Sequence, residues 1–138
     1  MTFTRTEDLK FRSVPCAHVK NVQASIDYYI DKLGFKQDWV HNNEDGSPYI
    51  AGLHRDDIEI FVQQQNETRN FGVRLFIELA PTNLLTPLFE EFQARGATIV
   101  KAPTMQSWGW TVMTVTDLDG NVLLFCGDEI EELKPGKA

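Results

Sequence analysis

One order of hydrophobic periodicities runs through this chain twice, and that repetition restricts the fold more than any other feature. Val14 to Val22 alternates at the period of a strand. Ala24 to Leu33 then changes period. Ile26, Tyr29, Ile30 and Leu33 fall at i, i+3, i+4 and i+7, one apolar helix face, and Gly34 follows where a left-handed residue carries no Cβ penalty. Three strand-like pieces come next: Phe35 to Val40, Tyr49 to Leu53 and Ile58 to Gln63. The breakers Asn43-Glu44-Asp45-Gly46-Ser47-Pro48 and Arg55-Asp56-Asp57 separate them. After polar Gln64 to Asn70 the order recurs. Val73 to Leu79 reads as a strand, and Leu84, Leu85, Leu88, Phe89 and Phe92 as a helix face closed by Gly96. Thr98 to Ala102, Trp110 to Val115 and Val122 to Phe125 are three further strands. The turn Asp117-Leu118-Asp119-Gly120-Asn121 supplies residues that tolerate positive φ.

Two such copies predict an α+β fold of two tandem βαβββ modules, residues 13–64 and 71–127, in one structural domain. Their curved sheets would pack together and enclose a cleft. Residues 1–12 read as an N-terminal arm and residues 128–138 as a charged tail. The prediction rests on the order of elements, since identity between the halves is slight.

The chain has 138 residues, 42% hydrophobic and 24% charged, the balance of an ordinary globular domain. A net charge of −7 argues against nucleic-acid or anionic-membrane partners and favours a cationic ligand, or serves solubility alone. No apolar run reaches the ~18 residues of a membrane span, and a cytoplasmic address follows by default. Cys16 and Cys126 lie in apolar runs and read as reduced core thiols. The chain contains no HExxH, GxSxG or phosphate-binding glycine loop, and its Asp117 to Asn121 spacing fails the calcium pattern. No catalytic residue and no cofactor is assigned.

Several segments resemble the vicinal-oxygen-chelate superfamily of glyoxalases, extradiol dioxygenases, fosfomycin-modifying enzymes and bleomycin-resistance proteins. Ser25-Ile26-Asp27-Tyr28-Tyr29 with Leu33-Gly34-Phe35 resembles its first helix and exit. Asp38-Trp39-Val40 and the run Ala51 to Phe61 are similar to the following strands of the bleomycin-resistance branch. Trp108-Gly109 and the Asp117 to Asn121 turn resemble its last hairpin. The likeness spans residues 13 to 127. The resemblance implies metal-ligand places at Val14, Glu59, Val73 and Leu124, of which only Glu59 has a donor, so no metal is assigned. It also implies a homodimer with ligand grooves between subunits and an exchanged 1–12 arm. Such proteins sequester bleomycin-like glycopeptides, planar and cationic, without turnover.

A non-catalytic binding protein is therefore the first reading, with a bleomycin-like glycopeptide or another aromatic cation as its small-molecule partner. Trp39, Phe61, Trp108 and Trp110 are candidate aromatic walls, with Tyr49 near the mouth, Gly109 beside Trp108 and Glu59 as counter-ion. Alternation puts Ile58, Ile60 and Val62 on one side of their strand and Glu59, Phe61 and Gln63 on the other. Asp38 is a ligand contact or a surface charge; each ring is a wall or core. The alternatives are a metal-dependent lyase, dioxygenase or thiol transferase, its metal held by an arrangement including Glu59 and His18, or a structural dimer. His41 and His54 border loops, where a solvated imidazole is expected.

Overall fold

Asn21 opens the first helix, and its side chain shows how the first module starts. Its backbone is extended, and its Oδ1 accepts a hydrogen bond from the Ala24 amide at 2.9 Å, occupying one of the donors a helix start leaves unpaired. The helix therefore begins at Val22, two residues ahead of the apolar periodicity. It ends at Gly34, whose φ of 76° turns the chain so that the next amide, of Phe35, bonds back to the Tyr29 carbonyl at 2.9 Å.

The computed structural model describes residues 6–65 and 72–127. The first module comprises β1 (Cys16–Val19), α1 (Val22–Leu33), β2 (Lys36–Asn42), β3 (Pro48–Arg55) and β4 (Ile58–Gln64). The second comprises β5 (Arg74–Glu78), α2 (Leu85–Arg95), β6 (Thr98–Met105), β7 (Thr111–Thr116) and β8 (Val122–Gly127). Short 3-10 turns cover Thr6–Asp8 and Thr82–Leu84. The sheets run β1-β4-β3-β2 and β5-β8-β7-β6, so the fold is α+β with two tandem βαβββ modules. In each, the helix carries the chain from one sheet edge to the other. The first strand then pairs parallel with the last, and hairpins supply the antiparallel pairs. Residues 1–5 of the expected arm, most of the Gln64 to Asn70 linker and the 128–138 tail lie outside the described residues.

The duplication is visible in the register. Cys16–Phe61–Gly52–Trp39 form one row across the first sheet, and Phe76–Leu124–Thr114–Lys101 form its counterpart in the second. Each sheet carries an irregularity just before the last member of its row, at Asp38 and at Val100. A shared bulge place is hard to obtain without a shared backbone plan.

Each helix covers one face of its own sheet. Val22, Ile26, Tyr29 and Leu33 of α1 are buried, with Leu53, Ile60 and Val62 in the same core. Leu85 and Phe92 do the same for α2, and Phe92 meets Phe125 edge to face at 5.3 Å. Leu84, expected on that helix face, instead belongs to the preceding 3-10 turn and is exposed. Cys126 is a buried free thiol, whereas Cys16 is only half-buried and lies beside Gln63 Oε1. Cys16 is thus no core residue, because β1 places it on the face away from the helix.

The modules are fastened helix to helix. Arg55, at the end of β3, forks onto Glu91 of α2 at 2.8 and 2.9 Å and also donates to the Leu33 carbonyl at the end of α1. Hydrogen bonding to Arg55 holds the Glu91 carboxyl below its ordinary pKa, against the opposing effect of burial. A depressed carboxylate stabilises the fold above its unfolded pKa, and that contribution is lost as pH falls through the folded value. Stability is accordingly expected to decline below about pH 4.5, the ordinary value, and Arg55→Ala to flatten that decline. At neutral pH the same substitution should cost about 1–3 kcal/mol. That is less than for a fully buried pair, because 25% and 31% of the two side chains stay exposed. Urea unfolding of both proteins between pH 3.5 and pH 7 would check this; equal acid slopes would refute it.

Candidate functional site

Among the described residues each sheet has a face opposite its helix without helical cover, and the chemistry-bearing residues gather there. On the first sheet, Gly52 sits between Phe61 and Trp39 in the register. The absence of a side chain there lets the indole lie over the strand. A Cβ added at Gly52 would collide with Nε1 and Cε2 of Trp39. Trp39 then meets Phe61 edge to face, with centroids 4.9 Å apart and planes at 72°. His41 closes on Trp39 from the other side at 5.4 Å. Trp39 and Phe61 are half-buried, each presenting part of its ring.

Alternation alone would send Asp38 and Trp39 to opposite faces. The bulge prevents this. Gln37 pairs with Leu53 and Trp39 with Gly52, so Asp38 is the extra residue and turns to the Trp39 side. Its Oδ1 lies 2.7 Å from Nδ1 of His54. His54 is paired in register with Glu59, and both occupy the position next to Phe61 along the same face. Glu59 in turn is ion-paired with Arg12 from the segment before β1. One side of the aromatic pair is therefore a charged row: Asp38 with His54, and Glu59 with Arg12.

The other side is uncharged. Gln63 donates through Nε2 to the Tyr49 hydroxyl at 3.1 Å, and its Oε1 lies 3.4 Å from the Cys16 sulfur. Tyr49 reaches that place because a second register shift, between His41 and Asn42, skips it. The burial that half-covers Cys16 raises its thiol pKa, so it stands there as a neutral thiol.

The second sheet carries the rest of the expected set. Trp108, 54% exposed in the β6–β7 loop, lies 6.2 Å from Phe76. Gly109, with φ of 98°, makes the turn beneath it. Trp110 is half-exposed just before β7. Among the described residues no ring contact joins this group to Trp39 and Phe61, so within one chain the candidate walls form two surfaces.

Three sequence expectations change on this geometry. His54 is held by Asp38 and is not a merely solvated ring. Val73 packs against the core, and Arg74 takes the open face at the place carried over to Val73. Leu124 corresponds by register to Phe61, and Glu59 corresponds to Val122. These places do not form a donor set. Among the described residues no three His, Cys, Asp or Glu side chains gather where one ion could touch them all. Glu59 and His18 are separated by the register: His18 pairs with Gln63, four residues along β4 from Glu59, about 13 Å at 3.3 Å per residue. The described residues do not fit a shared metal.

A cavity of about 350 Å³ also lies in the seam between modules, lined by Arg55, Ile58, Ile77, Leu79, Leu88 and Phe125 among others. It contains none of the expected ligand residues, and its Arg55 and Glu91 are spent on each other. The first sheet is the better candidate, because there the rings and polar groups are arranged on the face opposite α1, with Trp39 and Phe61 partly exposed among the described residues.

Gly52 gives this description a direct check. Gly52→Ala should displace Trp39 from its seat, costing about 1–3 kcal/mol as an overpacking strain. In a chain whose other two tryptophans are replaced by phenylalanine, the emission should shift to the red. Unchanged emission would mean that Trp39 does not lie over Gly52.

A family model described as the Glyoxalase/Bleomycin resistance protein/Dioxygenase superfamily matches residues 15–125. No curated protein sequence matches significantly. Among solved structures, TioX from Micromonospora sp. ML1 aligns with a TM-score of 0.70 at 17% identity, covering 86% of this chain and 100% of that one. A glyoxalase-related enzyme from Clostridium phytofermentans aligns at 0.71 and 14% identity, with 88% and 97% covered. TnmS3, an antibiotic binding protein from Streptomyces sp. CB03234, aligns at 0.67 and 18%, with 88% and 99% covered. At these identities the likeness concerns the fold, which an enzyme and a binding protein share.

Proposed function

This chain belongs to the Glyoxalase/Bleomycin resistance protein/Dioxygenase superfamily, and we propose that it binds planar, cationic aromatic small molecules on the open face of its first sheet, without turning them over. The observation that carries this reading is the edge-to-face pair of Trp39 and Phe61, held over Gly52 on a face that neither α1 nor α2 covers. A flat ligand stacked there gains about 0.5–1.5 kcal/mol per ring pair beyond area burial, and a cation near the indole gains about 0.5–2 kcal/mol. A net charge of −7 favours the approach of such a ligand. TnmS3 shows that this fold can serve an antibiotic binding protein.

Glu59 supports the cationic preference because it already holds a guanidinium, that of Arg12. A ligand cation would take the place of Arg12. Arg12→Ala should therefore strengthen binding of a cationic dye by about 1.5–5-fold, the range of an exposed charge contact. Weaker binding would instead make Arg12 part of the ligand surface.

The second sheet supports the expected homodimer. Phe76 (56% exposed), Val100 and Trp108 leave an apolar surface there, which suits cover by a second copy. In this reading the partner's second sheet closes the groove over the first, the 1–12 arm exchanges, and the protein works in the cytoplasm.

Titration with bleomycin and with proflavine, a flat diamino-acridine cation, tests the proposal through tryptophan emission. Quenching should saturate near one ligand per chain with micromolar affinity. Flat curves for both at about 100 µM, some −5.5 kcal/mol, would remove it.

A further inference from the structure

We propose that His54 selects the ligand on this face by accepting a hydrogen bond through Nε2, so that flat ligands with an N–H or O–H donor at the ring edge are preferred. The inference rests on the reading of the first sheet as the ligand surface and adds the ligand's hydrogen-bonding class.

Three observations lead to it. Asp38 Oδ1 lies 2.7 Å from His54 Nδ1, and a carboxylate at that distance fixes the proton on Nδ1. In the neutral ring the remaining nitrogen is then an acceptor. The contact depends on the bulge that brings Asp38 onto the Trp39 face, a device that re-aims a side chain without breaking the sheet. His54 is also next to the stacking surface: its partner Glu59 stands two residues from Phe61, and Gly52, under Trp39, stands two residues from His54.

The neighbouring groups are otherwise committed. Glu59 holds Arg12 and, in the reading above, takes the cationic part of the ligand in its place, which leaves the edge donor to another acceptor. Lys36, paired in register with His54, carries only donors. The lone pair on His54 is thus the acceptor that a donor at the edge of a ring stacked on Trp39 and Phe61 would meet.

Proflavine and its tetramethylated analogue acridine orange form a matched pair of probes. Both are flat cations, but only proflavine carries exocyclic N–H donors. At pH 8 the wild-type protein should bind proflavine about tenfold more tightly, the scale of one hydrogen bond. His54→Ala should abolish that ratio while both dyes still bind, and His54→Gln, which restores an acceptor, should recover part of it. A role confined to folding would lower both affinities together and leave the ratio unchanged. Equal wild-type affinities, or a ratio that survives His54→Ala, would overturn the inference alone. Failure of both dyes to bind would overturn it together with the ligand surface on which it rests.

Discussion

Replacing Asp117 with alanine should lower the unfolding free energy by about 3–5 kcal/mol, the largest loss expected from any single substitution outside the apolar core. Asp117 is 5% exposed and is the hub of the β7–β8 turn. Its Oδ1 accepts the amides of Asp119 and Asn121 at 2.8 and 2.9 Å. Its Oδ2 accepts Asn121 Nδ2 at 2.9 Å and the Tyr29 hydroxyl at 2.8 Å. Alanine would leave four donors without their acceptor, two of them on buried side chains. Each stranded donor costs its full desolvation, about 1–3 kcal/mol where water cannot reach it.

The Tyr29 bond makes this turn more than a hairpin, because it crosses from α1 of the first module into the second. Tyr28 beside it donates to the Thr116 carbonyl at 2.8 Å and accepts the Thr98 amide at 2.9 Å. Tyr29→Phe removes one bond and leaves Asp117 with three, so its cost should be near 1 kcal/mol. Burial raises the Tyr29 phenol well above the ordinary tyrosine pKa, and the Asp117 charge adds to the shift. The unfolded chain therefore releases this proton first, and stability falls as pH rises beyond about 10. Tyr29→Phe should weaken that alkaline loss. Urea unfolding at pH 7 and pH 10.5 measures both quantities; an Asp117→Ala cost under about 1 kcal/mol would contradict the hub.

The same residues show what the sequence discloses. Asp117 to Asn121 is recognisable as a turn because Asp, Gly and Asn satisfy the local backbone, but nothing local announces that Tyr29 will meet it. Likewise, the alternation of Ile58, Ile60 and Val62 against Glu59, Phe61 and Gln63 assigns the faces of β4 correctly, since a regular strand conserves parity. Parity fails on β2, where one extra residue turns Asp38 to the face of Trp39. That failure concealed the partnership with His54, separated from Asp38 by a hairpin. Parity holds at Val73 and Arg74, and the misplacement there comes from a carried-over position one residue off the strand's own register. Helix faces were legible for α1, whose cap and left-handed exit are both encoded locally. The start of α2 was not, because a 3-10 turn takes Leu84 out of the helical register. Trp108 and Trp39 are both candidate walls in the sequence because both are aromatic, whereas their membership of different sheets is a property of topology.

Trp39→Ala and Phe61→Ala should each weaken proflavine binding by about 10–100-fold, the effect of deleting an aromatic anchor worth 1.4–2.8 kcal/mol. The two losses should not add. Each ring positions the other at 4.9 Å, so removing one already disorders the surface that the second presents. The double variant should thus lose less than the product of the single losses. Trp108 provides the contrast. It stands on the second sheet against Phe76, so in an isolated chain its removal should leave affinity within about twofold. If a second copy lays its second sheet over the first sheet of its partner, Trp108→Ala acquires an effect at concentrations where the dimer forms. Titrations run beside light scattering separate the cases. Affinity unchanged in Trp39→Ala and Phe61→Ala would place the ligand elsewhere. A Trp108 effect that tracks dimer formation would put the second wall of the groove on the neighbouring subunit.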